Sequence, residues 1–109
     1  MLLYPETLPR TDLIEDILHR SGIKEIVEAK EAMFFDLVKE GVPTNAYGAG
    51  KAIKRVMMDL PKHCPDMVDT LKNGAFSVGV DMDAVLYVGS IHLRNRIFPK
   101  LGFKLDEWG

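Results

Sequence analysis

The sequence has little of what secreted proteins and membrane proteins require. Cys64 is the single cysteine among 109 residues, so no intramolecular disulfide can form. Residues 1–5 carry no basic residue ahead of their short apolar stretch, unlike a signal peptide, and no apolar run approaches the roughly 18 residues of a membrane span. We therefore expect a soluble cytoplasmic protein that does not bind membranes.

The sequence also lacks an excess of positive charge. It has 14 Lys and Arg residues against 16 Asp and Glu residues, and this net charge of -2 does not favour a dedicated nucleic-acid-binding protein. The 47% of hydrophobic and 28% of charged residues are typical of a folded globular chain of this length. We expect a single domain over residues 1–109.

Apolar residues recur at helical spacing in four segments. The first three segments cover residues 11–20, 23–39 and 53–60. Pro65 suits the start of a fourth helix, and Asn73-Gly74 suits its left-handed end. The apolar stripes of the second and third helices supply the predicted core, which consists of Met33, Phe34, Leu37, Val56 and Met57.

The pattern then changes from helical spacing to alternation. Phe76, Val78 and Val80 alternate with small residues, which predicts a strand. Residues 84–93 favour a second strand by composition, although a helix capped by Asp83 is the alternative. The predicted fold class is therefore α+β, with three or four N-terminal helices packed on a small C-terminal antiparallel hairpin. An all-α fold is the alternative.

A glycine-containing segment precedes the third helix and is a candidate anion site. Backbone N–H groups of Gly48 and Gly50, together with Lys51, would hold a phosphate or carboxylate at the helix start. A P-loop is not indicated, because Asn45 replaces its first glycine and Ala52 replaces its Ser or Thr. The alternative is that these glycines only let the chain turn and pack closely.

Residues 45–50 resemble the pyrophosphate loop of the GNAT-type N-acetyltransferases, whose pattern is [QR]-x-x-G-x-[GA] before a helix. Residues 100–103, with the order Lys-Leu-Gly-Phe, are similar to a late Gly-Phe in that family. The resemblance implies an enzyme that binds acyl-CoA or another phosphate-containing ligand. The sequence departs from the family at Asn45 and in residues 11–40, where the family has strands and this chain has helical spacing.

Two groups of basic residues suggest a second kind of site. The predicted basic patch would contact nucleic acid, and the second and third helices have a helix-turn-helix outline around residues 41–44. Residues 11–23 resemble the opening helix of the bacterial histone-like proteins, but that family's glycine-rich turn and proline-tipped arms are missing. The predicted patch consists of Lys54, Arg55, Arg94, Arg96 and Lys100.

The C-terminal residues are unusually rich in large apolar side chains. Phe98, Phe103 and Trp108 would be costly to leave in water as one patch, so they must dock on the protein's own helices or on another molecule. We predict that they form an interface, with the protein itself as one partner in a homo-oligomer. We expect Arg94 and Arg96 of a neighbouring copy to face an acidic surface that consists of Glu25, Glu28 and Glu31.

No set of acid, base and nucleophile converges in the sequence. His63 and Cys64 are adjacent but lack a recognisable third partner, and we predict no catalytic residue, no metal site and no cofactor. The leading hypothesis is a small non-enzymatic protein-interaction module, such as an adaptor, inhibitor or assembly subunit, without excluding an enzyme. The alternatives are a nucleic-acid-binding regulator and a phosphate-binding or acyl-CoA-binding enzyme.

Overall fold

A computed structural model describes residues 10–41 and 45–104, and all of this described chain folds into helices and short connections without a strand. The helices begin and end as follows: α1 Arg10–Arg20, α2 Ile23–Ala29, α3 Glu31–Gly41, α4 Ala46–Met58, α5 Leu60–His63, a 3-10 turn Pro65–Met67, α6 Val68–Val78 and α7 Met82–Leu101.

The helices observed in residues 10–41 agree with the predicted ones, except that the second predicted helix is divided in two. Gly22 has a φ of 84°, a left-handed conformation that suits glycine, and it separates α1 from α2. The buried Ser21 hydroxyl donates a hydrogen bond to the Ile17 carbonyl and accepts one from the Ile23 N–H at 3.2 Å. The helix predicted over residues 23–39 is divided at Lys30, whose φ of -105° and ψ of 11° depart from helical values.

Helix α7 is the central element of the fold. It packs against α1, α2, α4 and α6, with the largest contact to α4. Asp81 caps its N-terminus by accepting a hydrogen bond from the Ala84 N–H at 2.8 Å, and Gly102 ends it with a φ of 87°. Its buried residues point to several sides of the helix: Val85, Leu86, Val88, Gly89, Ser90, Leu93, Ile97 and Phe98.

The predicted C-terminal antiparallel hairpin, and with it the α+β fold class, is wrong, and the described chain has the all-α architecture. Residues 84–93 look like a strand because a helix that is buried on several sides has no polar face to reveal its period. The alternation of Phe76, Val78 and Val80 was coincidental, since Phe76 is 87% exposed on α6 while its neighbour Ala75 is buried.

The predicted helix end at Asn73-Gly74 is also wrong. Helix α6 continues to Val78, and the left-handed residue that ends it is Gly79, with a φ of 75°. Gly74 serves a different purpose, because a Cβ placed there would lie 2.1 Å from the Ser21 carbonyl oxygen. The glycine therefore allows α6 to approach the end of α1.

The core lies between α7 and the helices around it. Phe34 and Met57 are fully buried as predicted, and Met33 and Val56 are partly buried against the core. Val38, rather than Leu37, is fully buried in α3. No single helix in the described ranges has the length and apolar character of a membrane span. The segment 65–78 and α7 meet that test only together, with a bend of 98° between them.

Candidate interaction surface

The side of α4 that faces away from the core carries a group of basic and aromatic residues. Ala49, Ile53 and Met57 bury one side of this helix, so the residues on the opposite side project into water. Tyr87 of α7 lies beside them, because α7 packs along α4. We refer to this surface as the α4 face, which consists of Tyr47, Lys51, Lys54, Arg55 and Tyr87.

Two cation–π contacts organise the α4 face. The Lys51 ammonium lies 5.3 Å from the centre of the Tyr47 ring, one helical turn earlier. The Lys54 ammonium lies 5.5 Å from the centre of the Tyr87 ring and so connects the two helices. The tyrosines are 64% and 43% exposed, respectively, so both rings retain surface that a partner can contact.

The positive charge of the α4 face is not neutralised by ion pairs within the described part of the chain. Residues 46–58 contain three basic residues and no acidic one. The ion pairs among the described residues involve other cations, namely Arg20, His92, Arg96 and Lys100. Lys51, Lys54 and Arg55 are therefore available to a negatively charged partner.

The segment predicted as an anion-binding loop is the beginning of α4. Asn45 is its N-cap, and its side-chain oxygen accepts a hydrogen bond from the Gly48 N–H at 2.7 Å. Gly50 is buried within the helix, whereas Lys51 is exposed. The Gly48 N–H thus already has an acceptor, and of the three predicted anion ligands only Lys51 is on the α4 face.

The predicted basic patch is divided by the fold. Lys54 and Arg55 lie on the α4 face, but Arg96 and Lys100 bind acidic residues of the same chain. Glu31 accepts hydrogen bonds from Arg96 Nε and from the Lys100 ammonium. Glu28 lies 3.0 Å from His92 Nε2 and 3.6 Å from Arg96 Nη1. These contacts join α2 and α3 to α7.

The ionisation of these carboxylates reflects their partners. The hydrogen bond from Lys100, aided by Arg96, holds the pKa of Glu31 below its ordinary value, against the opposing effect of burial. The hydrogen bond with His92 lowers the pKa of Glu28. Glu31 in turn raises the pKa of Arg96. Of the acidic residues that we expected to face a neighbouring copy, Glu28 and Glu31 are therefore engaged within one chain.

Arg94, another member of the predicted patch, is partly buried. Its guanidinium lies 6.0 Å from the centre of the Phe98 ring and donates a hydrogen bond to the Asn95 side-chain oxygen at 2.8 Å. Desolvation lowers the pKa of Arg94. The structure therefore places Arg94 beside an aromatic ring of the core and not with Lys54 and Arg55 on the α4 face.

The predicted C-terminal interface is only partly described. Phe98 is fully buried, and its ring centre lies 5.5 Å from that of Phe103, which is partly buried against the core. Trp108 lies outside the described residues. Phe98 therefore has no exposed surface with which to contact a second copy, and the homo-oligomer stays a prediction.

Comparison with protein-family models, with curated proteins and with solved structures gave no match. In the described residues, no group of three or more His, Cys, Asp or Glu side chains is arranged to hold a metal ion. Cys64 is buried while the adjacent His63 is exposed.

Sequence reasoning missed both tyrosines of the α4 face. Tyr47 lies in the segment interpreted as a loop before the third helix, so it was not placed on a helix face. Tyr87 was missed for another reason. It was assigned to a strand, and so it was not associated with the third helix. The spacing of Tyr47, Lys51 and Lys54 at i, i+4 and i+7 was the available signal for the rest of the surface, since such residues lie on one side of a helix.

Proposed function

We propose that this protein is a non-enzymatic interaction module that binds an anionic partner through the α4 face. One observation carries the proposal: Lys51, Lys54 and Arg55 are exposed on one side of a well-packed helix and form no ion pair within the described residues, while tyrosines flank them. Such a surface attracts a negatively charged partner, and we assign no catalytic role to any of its residues.

The rest of the molecule supports this choice of surface. The basic residues near the end of α7 have acidic partners within the chain, since Arg96 and Lys100 both bind Glu31. Ion pairing within the chain leaves less positive charge for an external ligand there. Of these two basic regions, the α4 face therefore has more positive charge that is not paired with a carboxylate of the described residues. Both kinds of partner expected from the sequence can supply the negative charge that this surface would bind: a protein through acidic side chains, and a nucleic acid through its phosphates.

Heparin affinity tests the proposal directly, because heparin is a polyanion without the structure of any particular partner. The double variant Lys51→Glu with Lys54→Glu should elute from immobilised heparin at clearly lower salt than the wild type. The matched control is Lys39→Glu with Lys72→Glu, which changes the net charge equally at exposed lysines outside the α4 face. Lys39 also covers an aromatic ring, that of Phe35, at 5.6 Å.

The control should retain most of the heparin affinity if position, rather than net charge, determines binding. Equal losses in the two double variants would show that the interaction depends on overall charge alone. No retention of the wild type at low salt would contradict the proposed function.

A further inference from the structure

We propose that the anionic partner of the α4 face is a single-stranded nucleic acid. Its phosphates contact Lys51, Lys54 and Arg55, and its bases stack on Tyr47 and Tyr87. This inference rests on the proposed function, since it names the partner of the same surface. It is more specific, because it assigns a role to the aromatic rings as well as to the positive charges.

The aromatic rings distinguish a nucleic acid from an acidic protein segment. Tyr47 and Tyr87 are the two tyrosines within the described residues, both are exposed, and each has an ammonium group beside its ring. Nucleobases offer flat faces for stacking on such rings, whereas Asp and Glu side chains offer none. When a phosphate attracts the lysine, the ring face beneath the ammonium becomes available to a base.

The composition of the α4 face also differs from a typical protein–protein interface. Lysine is depleted in such interfaces, which depend instead on apolar and aromatic anchors in desolvated pockets. Here two lysines occupy the centre of the surface, between the tyrosines. A lysine ammonium acts as a point charge that contacts a phosphate without regard to sequence.

The neighbouring helix favours a single strand over a duplex. A helix that reads the major groove must project far enough to enter it. Helix α7 instead packs against the buried side of α4, near Met57, and its Tyr87 ring reaches Lys54 at the border of the exposed side. In a duplex, moreover, the bases are stacked on each other and cannot cover the tyrosine rings, whereas the bases of a single strand can.

The size of the surface limits the length of strand that it contacts. Seven residues separate Tyr47 from Lys54, which corresponds to about 10 Å along a helix. At about 3.4 Å per nucleotide of a stacked strand, this span matches roughly three nucleotides. Three basic residues that each neutralise a phosphate would give a slope of about -2 in a plot of log K against log salt for a single strand.

Fluorescence anisotropy with three probes tests the inference. The probes are a labelled ten-nucleotide oligothymidylate, a labelled duplex that contains this strand and its complement, and labelled poly-glutamate. We expect the full chain to bind the single strand more tightly than the duplex or the poly-glutamate, with the salt dependence given above. Lys51→Ala with Lys54→Ala should reduce the slope to about -0.7.

Tyrosine variants separate stacking from charge. Tyr47→Ala with Tyr87→Ala should weaken binding of the oligothymidylate at least fivefold, with little change in the salt slope. Tyr47→Phe with Tyr87→Phe keeps both rings and should bind within about twofold of the wild type. A thermal melt of each variant, followed by circular dichroism, checks that the helices are retained.

The outcomes distinguish this inference from the proposed function. Unchanged affinity of the Tyr47→Ala, Tyr87→Ala variant for the oligothymidylate would overturn base stacking, and so would equal binding of duplex and single strand. Heparin binding by the α4 face would still support the proposed function in either case. Tighter binding of poly-glutamate would identify an acidic protein partner and overturn the nucleic acid. If none of these polyanions binds, the inference and the proposed function both fail.

Discussion

Gly74 shows how a single residue permits the packing of two helices. It lies within α6, where glycine normally weakens a helix relative to alanine. Its value comes from the neighbouring backbone, since a Cβ at this position would lie 2.1 Å from the Ser21 carbonyl oxygen. The Ser77 hydroxyl and the Arg20 side chain contact backbone carbonyls at the same junction between α1 and α6.

Gly74→Ala should therefore destabilise the protein by about 1–3 kcal/mol, because a backbone segment has to move to admit the methyl group. Urea denaturation measures this change in the free energy of unfolding. Asn73→Ala is the control, since Asn73 is exposed in the same helix and alanine is the better helix former. Stabilisation by Gly74→Ala would contradict the close approach of α6 to Ser21.

Individual residues also show what could be predicted of the site. The spacing of Tyr47, Lys51 and Lys54 is present in the sequence, but it places them on one helix face only when the helix begins at Ala46 and not, as predicted, at residue 53. The contribution of Tyr87 depends on how α7 packs against α4, which no local pattern contains. The same is true of Arg96, whose neutralisation by Glu31 joins residues that are 65 positions apart.

Among the secondary-structure elements, α7 was the most difficult to predict. Its first turns are rich in Val, Leu and Tyr, and their burial on several sides removed the alternation of apolar and polar residues that marks most helices. The N-cap was the informative signal. Asp81 precedes the helix and accepts a hydrogen bond from the Ala84 N–H, whereas the sequence had suggested Asp83 as the cap.

Asp81→Ala should cost about 1 kcal/mol of stability, because the first turn of α7 loses its side-chain acceptor. Asp83→Ala is the matched control, since it removes the same charge from within the first turn and should cost only about 0.5 kcal/mol. Thermal denaturation of both variants provides the comparison. A larger loss for Asp83→Ala would contradict the assignment of the cap.

Glu31 connects the beginning of α3 to the last turns of α7. Its carboxylate is nearly buried and binds Arg96 and Lys100, both of which remain partly exposed. Glu31→Gln should lower the free energy of unfolding by about 1–2 kcal/mol at pH 7, since charge-assisted hydrogen bonds become neutral ones and solvent reduces their strength at the exposed cations.

The effect of Glu31 should depend on pH in a defined direction. Its pKa in the folded protein lies below the ordinary value of 4.5, so the unfolded chain takes up the proton first as the solution is acidified. The stabilisation is therefore present at neutral pH and is lost as the pH falls below that value. The difference between wild type and Glu31→Gln should shrink accordingly in urea denaturation at pH 4 and below. A constant difference would contradict the ion pairs.

For the molecule as a whole, the distribution of charge changes on folding. Along the sequence, residues 1–40 are predominantly acidic and residues 84–109 are predominantly basic. Folding brings Glu28 and Glu31 against the basic residues of α7, so much of that contrast is cancelled by ion pairs at the contacts of α2 and α3 with α7. The three basic residues of α4 have no ion pair among the described residues and remain together on one helix. Local composition could not predict this, because the pairing depends on tertiary packing.

Chemical-shift mapping by NMR tests most directly whether the α4 face binds anions. In a titration of isotopically labelled protein with low-molecular-weight heparin, the largest changes should occur at residues 47–55 and around Tyr87. Changes should be small at Arg96 and Lys100, because Glu31 already occupies these cations. Changes centred on α7 near Lys100, or the absence of any change at low salt, would contradict the account.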